Sequence, residues 1–194
     1  MARHRGLEIG IVTKSNLVVR DTDLLMEISR HNRVFVNLTI TTLDVELARI
    51  LEPRAPRPDL RLDAVRQLVR SGVAAGVICA PVVPEITDRP KDLEALVKAV
   101  AEAGGKYIFA NSLFLKPCSA AIFLPFLEEK FPDLAAGFRK RYETRAFLTP
   151  AYRKRLSQLM SKLRAKYNIR NDYDRYSRCT HPLPQADPEQ MKLF

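Results

Sequence analysis

Cysteine is scarce in this sequence and spaced wrongly for its usual uses. Cys79, Cys118 and Cys179 stand 39 and 61 residues apart, which fits neither a close-spaced metal motif nor a disulfide framework, so reduced, mostly buried thiols are expected. No stretch approaches the roughly 20 apolar residues of a membrane span, and the opening MARHRGLEIG lacks the apolar core of a signal peptide. The expectation is a soluble, cytoplasmic protein with no membrane partner. No Gly-rich phosphate loop is present, which counts against some other barrel enzyme with a phosphate-bearing ligand. None of the three histidines, His4, His31 and His181, has a catalytic partner in its local pattern, so a histidine-based nucleophile site is not expected.

What is present is basic charge, and it is concentrated. The formal net charge is +10, yet Arg139 to Arg170 holds 11 of the 32 Lys and Arg residues and only one of the 22 acids, Glu143. The rest of the chain is balanced. Such a block suggests a polyanion partner, DNA or another nucleic acid first, through phosphate neutralisation; the other reading is a solvated helix face. Arg139, Lys140, Arg153, Lys154 and Arg155 are the candidate nucleic-acid contacts.

At 194 residues one domain with appendages is expected. Four apolar runs read as strands: LEIGIVT from Leu7, VFVNLTI from Val34, AAGVICAPVV from Ala74 and KYIFANSL from Lys106. Helix patterns between them give the βα alternation of a parallel sheet. The first helix starts at Asp21 or Thr22 with Leu24, Leu25 and Ile28 as its stripe. A short one spans Leu43 to Leu51 behind Thr41 as cap, with Asp44 three residues on. A longer one has Asp59 as cap, Leu62, Val65, Leu68 and Val69 on one face, and Gly72 as its stop. The next has Asp88 as cap, carries Leu93, Leu96, Val97 and Val100, and closes on Gly104 and Gly105. The pattern is all-helical from Ser119, and the last two dozen residues, with Pro182, Pro184 and Pro188, read as a tail. The fold class is α/β, a barrel segment or an open sheet. Its expected divisions are a partial (βα) barrel over 1–118, basic C-terminal helices over 119–170 and a flexible tail over 171–194. Four parallel strands need their edges covered by helices, a partner or further strands.

Ligands of parallel α/β folds sit beyond the carboxyl ends of the strands. The loops there read TKSNLVVRD (Thr13 to Asp21), TITTLD (Thr39 to Asp44), APVVPEITD (Ala80 to Asp88) and NSLFLKP (Asn111 to Pro117). Lys14 either aims an ammonium at a ligand carboxylate or phosphate or is a solvated loop lysine. Thr39, Thr41 and Thr42 either hydrogen-bond a ribose or carboxylate or serve the strand end and a helix cap. Glu52 and Arg61 pair across a proline turn as clamp or ligand contact. Pro81 and Pro84 present backbone groups to a flat ring or stiffen a loop.

Those loops, in that order, resemble the second half of the radical SAM fold, specifically its spore photoproduct lyase-like group, often labelled DNA repair photolyases. The resemblance is carried by IVTKSNLVVRDTDLL (Ile11 to Leu25), ITTLDVELARILEPRAPRPDLRLDAVRQL (Ile40 to Leu68) and APVVPEITD (Ala80 to Asp88), and runs from about Leu7 through Tyr142. The middle block is the most specific, because the hydroxyl-bearing strand end, LEP and the RL of the next helix occur together. The resemblance implies half of a TIM-like barrel that binds S-adenosylmethionine across its open end and works with a 4Fe-4S cluster in radical chemistry of the lyase type, with DNA repair as the expected setting. Carried onto matching positions, it places Lys14 and Ser15 near the cosubstrate's carboxylate, Thr39 and Thr41 near its ribose or carboxylate, and Pro81 to Pro84 near adenine. Glu52 and Arg61 form a supporting shell.

The departure is the absent C-x-x-x-C-x-x-C loop, which in that family follows the first barrel strand and holds the cluster. No metal ligands are therefore assigned in this sequence. The chain is expected to be a C-terminal portion of such an enzyme, from an incomplete or misassigned reading frame or a degenerate gene, and to be inactive alone. The competing expectation is a non-catalytic nucleic-acid-binding remnant. The terminal QMKLF, with Gln190, Leu193 and Phe194, resembles the Q-x-x-L-F peptide by which bacterial DNA-processing proteins dock onto the sliding clamp; otherwise it is an ordinary frayed terminus.

Overall fold

In the computed structural model, which describes residues 6–169, four parallel strands form one sheet in the order β1-β2-β3-β4. They are β1 Glu8–Thr13, β2 Arg33–Thr39, β3 Ala74–Val82 and β4 Ile108–Ser112. Seven α-helices accompany them among the described residues: α1 Thr22–Ser29, α2 Val45–Leu51, α3 Pro58–Arg70, α4 Pro90–Glu102, α5 Pro117–Lys130, α6 Pro132–Tyr142 and α7 Pro150–Lys166. The α/β class and the four strands follow the sequence reading. The expected tail over 171–194, including the QMKLF terminus, lies outside the described residues.

Register explains why the strands read as continuous apolar runs. The pairs Ile11 with Val36, Val36 with Ala75, Leu38 with Val77 and Val77 with Ile108 put one residue set on a common face. That face packs against Val65 and Leu68 of α3, Leu93, Leu96, Val97 and Val100 of α4, and Leu156, Met160 and Leu163 of α7. The second face carries Phe35, Asn37 and Thr39 of β2, with Gly76 and Ile78 beside them on β3. Gly76 is required there: a Cβ at this position would meet the Tyr107 ring and come within 2.7 Å of the Tyr107 carbonyl oxygen. A smaller cluster, with Val83, Ile86, Leu113, Leu115, Leu127 and Phe138, joins α5 and α6 to the loops at the strand ends.

Helix starts depart from the expected caps. Helices α3, α4, α5, α6 and α7 all open on proline at the first helical position. Proline there is pre-set in φ and lacks the N–H that would be orphaned anyway, so the preceding residue becomes the cap. Asp59 therefore stands in the first turn, paired with the cap residue Arg57 at 3.0 Å, and Arg89, not Asp88, precedes α4. Asp44, not Thr41, caps α2, its carboxylate accepting from the Leu47 N–H at 2.9 Å. The α1 stripe is narrower than expected, because Leu25 and Ile28 are buried while Leu24 is 52% exposed. Gly72 and Gly104 close α3 and α4 with φ of +90° and +76°, the left-handed geometry that a terminating glycine supplies. Cys79 is buried as expected, but Cys118 is exposed in the first turn of α5, which turns that end of the helix outward.

Candidate functional site

Parallel strands bring all four carboxyl ends to one rim. Lys14 and Ser15 follow β1, Thr41 and Thr42 follow β2, and the turn through Val83 and Pro84 follows β3. At the β2 corner a chain of charges links three segments of the sequence. The Arg61 side chain, only 1% exposed, donates from Nη1 to Glu52 Oε2 at 2.6 Å and to the Thr39 carbonyl at 2.7 Å. Its Nε donates to the Pro56 carbonyl at 2.7 Å. The other Glu52 oxygen, Oε1, takes the Lys14 ammonium at 2.9 Å. One buried guanidinium thus satisfies the end of β2, the end of α2 and the proline turn together, as buried charge requires.

The prolines account for this geometry. Pro53, Pro56 and Pro58 each lack a backbone donor, and the Pro56 carbonyl between α2 and α3 is met instead by the Arg61 side chain, which has donors to spare. Glu52 is left 8% exposed at its side chain, while Lys14 remains 49% exposed. The ammonium is thus held at the rim by a fixed carboxylate and still open to solvent.

Other rim residues have defined local roles. Ser15 Oγ accepts from the Leu17 N–H at 3.2 Å and starts a 3-10 turn over Asn16–Asp21. Thr39, Thr41 and Thr42 are all buried, and Thr42 Oγ1 accepts from the Asp44 N–H at 3.1 Å. Pro81 is exposed and Pro84 buried. The turn holding Pro84 is fixed by Thr87, whose Oγ1 accepts from the Val83 N–H at 2.8 Å, and by Asp88. One Asp88 oxygen accepts from the Glu85 N–H at 2.7 Å and the other from the Tyr152 hydroxyl at 2.8 Å. Asp88 is therefore a bracket between this loop and α7 rather than a helix cap.

Asn37 escaped the sequence reading. Its Nδ2 donates to the Ile11 carbonyl at 3.2 Å, but its Oδ1 is buried without a hydrogen bond among the described residues. It lies on the face that carries Thr39, two residues below the rim. The signal was available: it is the lone amide in VFVNLTI, and a buried acceptor without a donor is costly unless something supplies one.

The rim offers a solvent-open cation at Lys14 and an unanswered acceptor at Asn37, groups that suit a ligand bearing a carboxylate and a hydrogen-bond donor. An iron–sulfur cluster does not fit the described residues, because no three His, Cys, Asp or Glu side chains gather among them. Burial pushes the Cys79 thiol up to about 12, the opposite of what a thiolate ligand needs. Its Sγ points to the Thr41 carbonyl at 3.9 Å. No described helix is long and apolar enough to cross a membrane.

The basic block is partly answered from outside itself. Arg139 Nε meets Glu128 Oε1 at 2.8 Å, Arg141 pairs with Glu85, and Lys166 pairs with Glu94 at 2.5 Å. The Arg155 guanidinium lies 5.6 Å from the Tyr152 ring centre. Lys140, Arg153 and Lys154 are exposed.

No protein-family model matches the chain. An uncharacterized protein of Mycobacterium tuberculosis, Rv2578c, is 30% identical over 191 residues, covering 97% of this chain and 55% of that protein. An uncharacterized protein of Acidianus two-tailed virus is 38% identical over 111 residues, covering 56% of this chain and 36% of that protein. The chain thus spans about half the length of the first of these relatives and about a third of the second. Among solved structures, a spore photoproduct lyase variant with bound AdoMet and dinucleoside spore photoproduct superposes with a TM-score of 0.58 at 19% identity, over 82% of this chain and 48% of that one. At that identity the likeness establishes the fold: the four-stranded sheet and its helices have the architecture of part of the spore photoproduct lyase barrel.

Proposed function

We propose that this chain is the S-adenosylmethionine-binding part of a radical enzyme of the spore photoproduct lyase type, with nucleic acid as the substrate class and DNA repair as its setting. The observation that carries the reading is the Lys14–Glu52–Arg61 chain at the rim, on a fold shared with a lyase whose solved structure holds AdoMet and a dinucleoside. In this reading the Lys14 ammonium takes the cosubstrate carboxylate, and Glu52 and Arg61 hold Lys14 in position. Ser15, Thr39 and Thr41 offer hydroxyls to the carboxylate and ribose, Asn37 Oδ1 accepts from a ligand donor, and the Pro81 to Pro84 loop covers the adenine.

When bound, S-adenosylmethionine supplies hydrogen-atom abstraction after one-electron cleavage. The described residues hold no ligand set for the cluster that delivers the electron, so the roles assigned to them are binding, orienting and shielding.

Calorimetric titration of the full chain with S-adenosylmethionine tests the reading. Lys14→Ala is expected to weaken binding about tenfold or more, the scale of a charge-assisted contact worth about 1.5–3 kcal/mol, with an unchanged melting curve. Equal affinity in the two proteins removes Lys14 from the site, and no binding by the parent chain removes the reading.

A further inference from the structure

The sheet edge at β4 carries a second polar recess, apart from the Lys14 corner. Phe109, Asn111 and Ser112 meet Arg153, Ser157 and Arg164 of α7 around a cavity of about 320 Å³. The two arginines are 11 residues apart in sequence, about three helical turns, so one face of α7 presents both. Among the described residues no carboxylate lines the recess. Elsewhere on α6 and α7, Arg139, Arg141 and Lys166 are answered by Glu128, Glu85 and Glu94.

Arg164 is half-buried, and its one hydrogen bond among the described residues is a long one, 3.4 Å to the Ile108 carbonyl on the edge of β4. Desolvation lowers its pKa, and no acid among the described residues offsets that effect. A partly desolvated guanidinium with donors to spare, in a recess also lined by a second arginine and two serines, suits an oxyanion.

Position separates this recess from the cosubstrate corner. β4 stands three strands from β1, about 14 Å at ordinary strand spacing, and Asn111 and Ser112 close β4 at the same rim as Lys14. We propose that Arg153 and Arg164, with Asn111, Ser112 and Ser157, seat a backbone phosphate of a nucleic-acid strand lying across the rim. The proposal deepens the nucleic-acid part of the reading above and is independent of S-adenosylmethionine binding.

The test is fluorescence anisotropy of a short labelled single-stranded oligonucleotide with the full chain, across a salt series and without S-adenosylmethionine. Arg153→Glu is expected to weaken binding about tenfold and to flatten the log–log salt slope by about 0.7 for each phosphate no longer neutralised. Lys162→Glu makes the same charge change at an exposed position of α7 outside the lining of the recess, and is expected to cost less than about threefold. Arg164→Lys, which keeps the charge and loses the planar fork, is expected to weaken binding without lowering the melting temperature. Inorganic phosphate is expected to displace the oligonucleotide from the parent chain.

Equal losses in Arg153→Glu and Lys162→Glu overturn the seat in favour of diffuse attraction. Binding of inorganic phosphate without binding of the oligonucleotide overturns the nucleic-acid assignment. Because no cosubstrate is present, either result leaves the Lys14 titration to stand or fall by itself.

Discussion

Replacing Arg61 by methionine tests whether the buried charge chain organises the rim. Methionine fills most of the apolar stem but donates nothing. Glu52 is then left with Lys14 alone, and the Thr39 and Pro56 carbonyls lose the donors that stand 2.7 Å away. Breaking a buried pair from one side costs about 3–5 kcal/mol. The half-exposed Lys14 keeps part of the compensation, which places the pair's share near the lower end, about 3 kcal/mol. Each carbonyl left without a donor adds about 1 kcal/mol or more, so the total is about 4–6 kcal/mol. Against a whole-domain stability of about 5–15 kcal/mol, that is about a quarter or more of what holds the chain together.

The chain has no tryptophan, so urea unfolding is best followed by far-ultraviolet circular dichroism, with equal m-values required before midpoints are compared. The double variant Glu52→Leu with Arg61→Met removes both charges and is expected to be more stable than the sum of the single losses by about 2 kcal/mol or more. A single variant within about 1 kcal/mol of the parent, or strict additivity in the double, refutes the argument that these charges depend on each other.

Alkaline titration at the tyrosinate absorbance band should show Tyr142 and Tyr152 among the late-ionising tyrosines. Burial raises the Tyr142 hydroxyl to about 12, and burial together with the bond to Asp88 raises Tyr152 further. Both ionise more readily when unfolded, so their stabilisation is complete below about pH 10. It is lost as the pH climbs from there through their folded values. Tyr152→Phe should remove one late titration and, by freeing the Asp88 bracket, cost about 1–2 kcal/mol in urea; six coincident titrations would count against both assignments. Gly76→Ala should lower the melting temperature by several degrees or abolish folding, since the obstructing atoms include the Tyr107 backbone oxygen and overpacking costs about 1–3 kcal/mol. An unchanged melt would mean that the two strands separate there freely.

The strands were legible because a parallel sheet buried against helices demands unbroken apolar runs, and VFVNLTI and AAGVICAPVV supply them. The Glu52–Arg61 pair was legible because three prolines within six residues confine the chain between them. What misled was the appeal of acids as caps: Asp59 and Asp88 each stand close to a proline that decides where the helix begins. The role of Asp88 depends on Tyr152, 64 residues on, a distance over which no local pattern carries. The recess between Arg153 and Arg164 needs β4 and α7 side by side, and the sequence shows only that the stretch is basic. Which acids answer that charge, namely Glu85, Glu94 and Glu128, is fixed by packing alone.

The two borders of the sheet are unlike. Along β4, α7 lies against the strand with Arg164 reaching the Ile108 carbonyl, and just past the strand's end Phe114 bridges to Phe147. Beside β1 no further strand pairs among the described residues, and Val12 is 63% exposed. The sheet therefore has a direction in which it can grow. A strand from another part of a longer polypeptide, or from another molecule, can add beside β1, where Lys14 and Ser15 lie. Any such addition would wall in the proposed cosubstrate corner and leave the arginine recess on the far side as open as before.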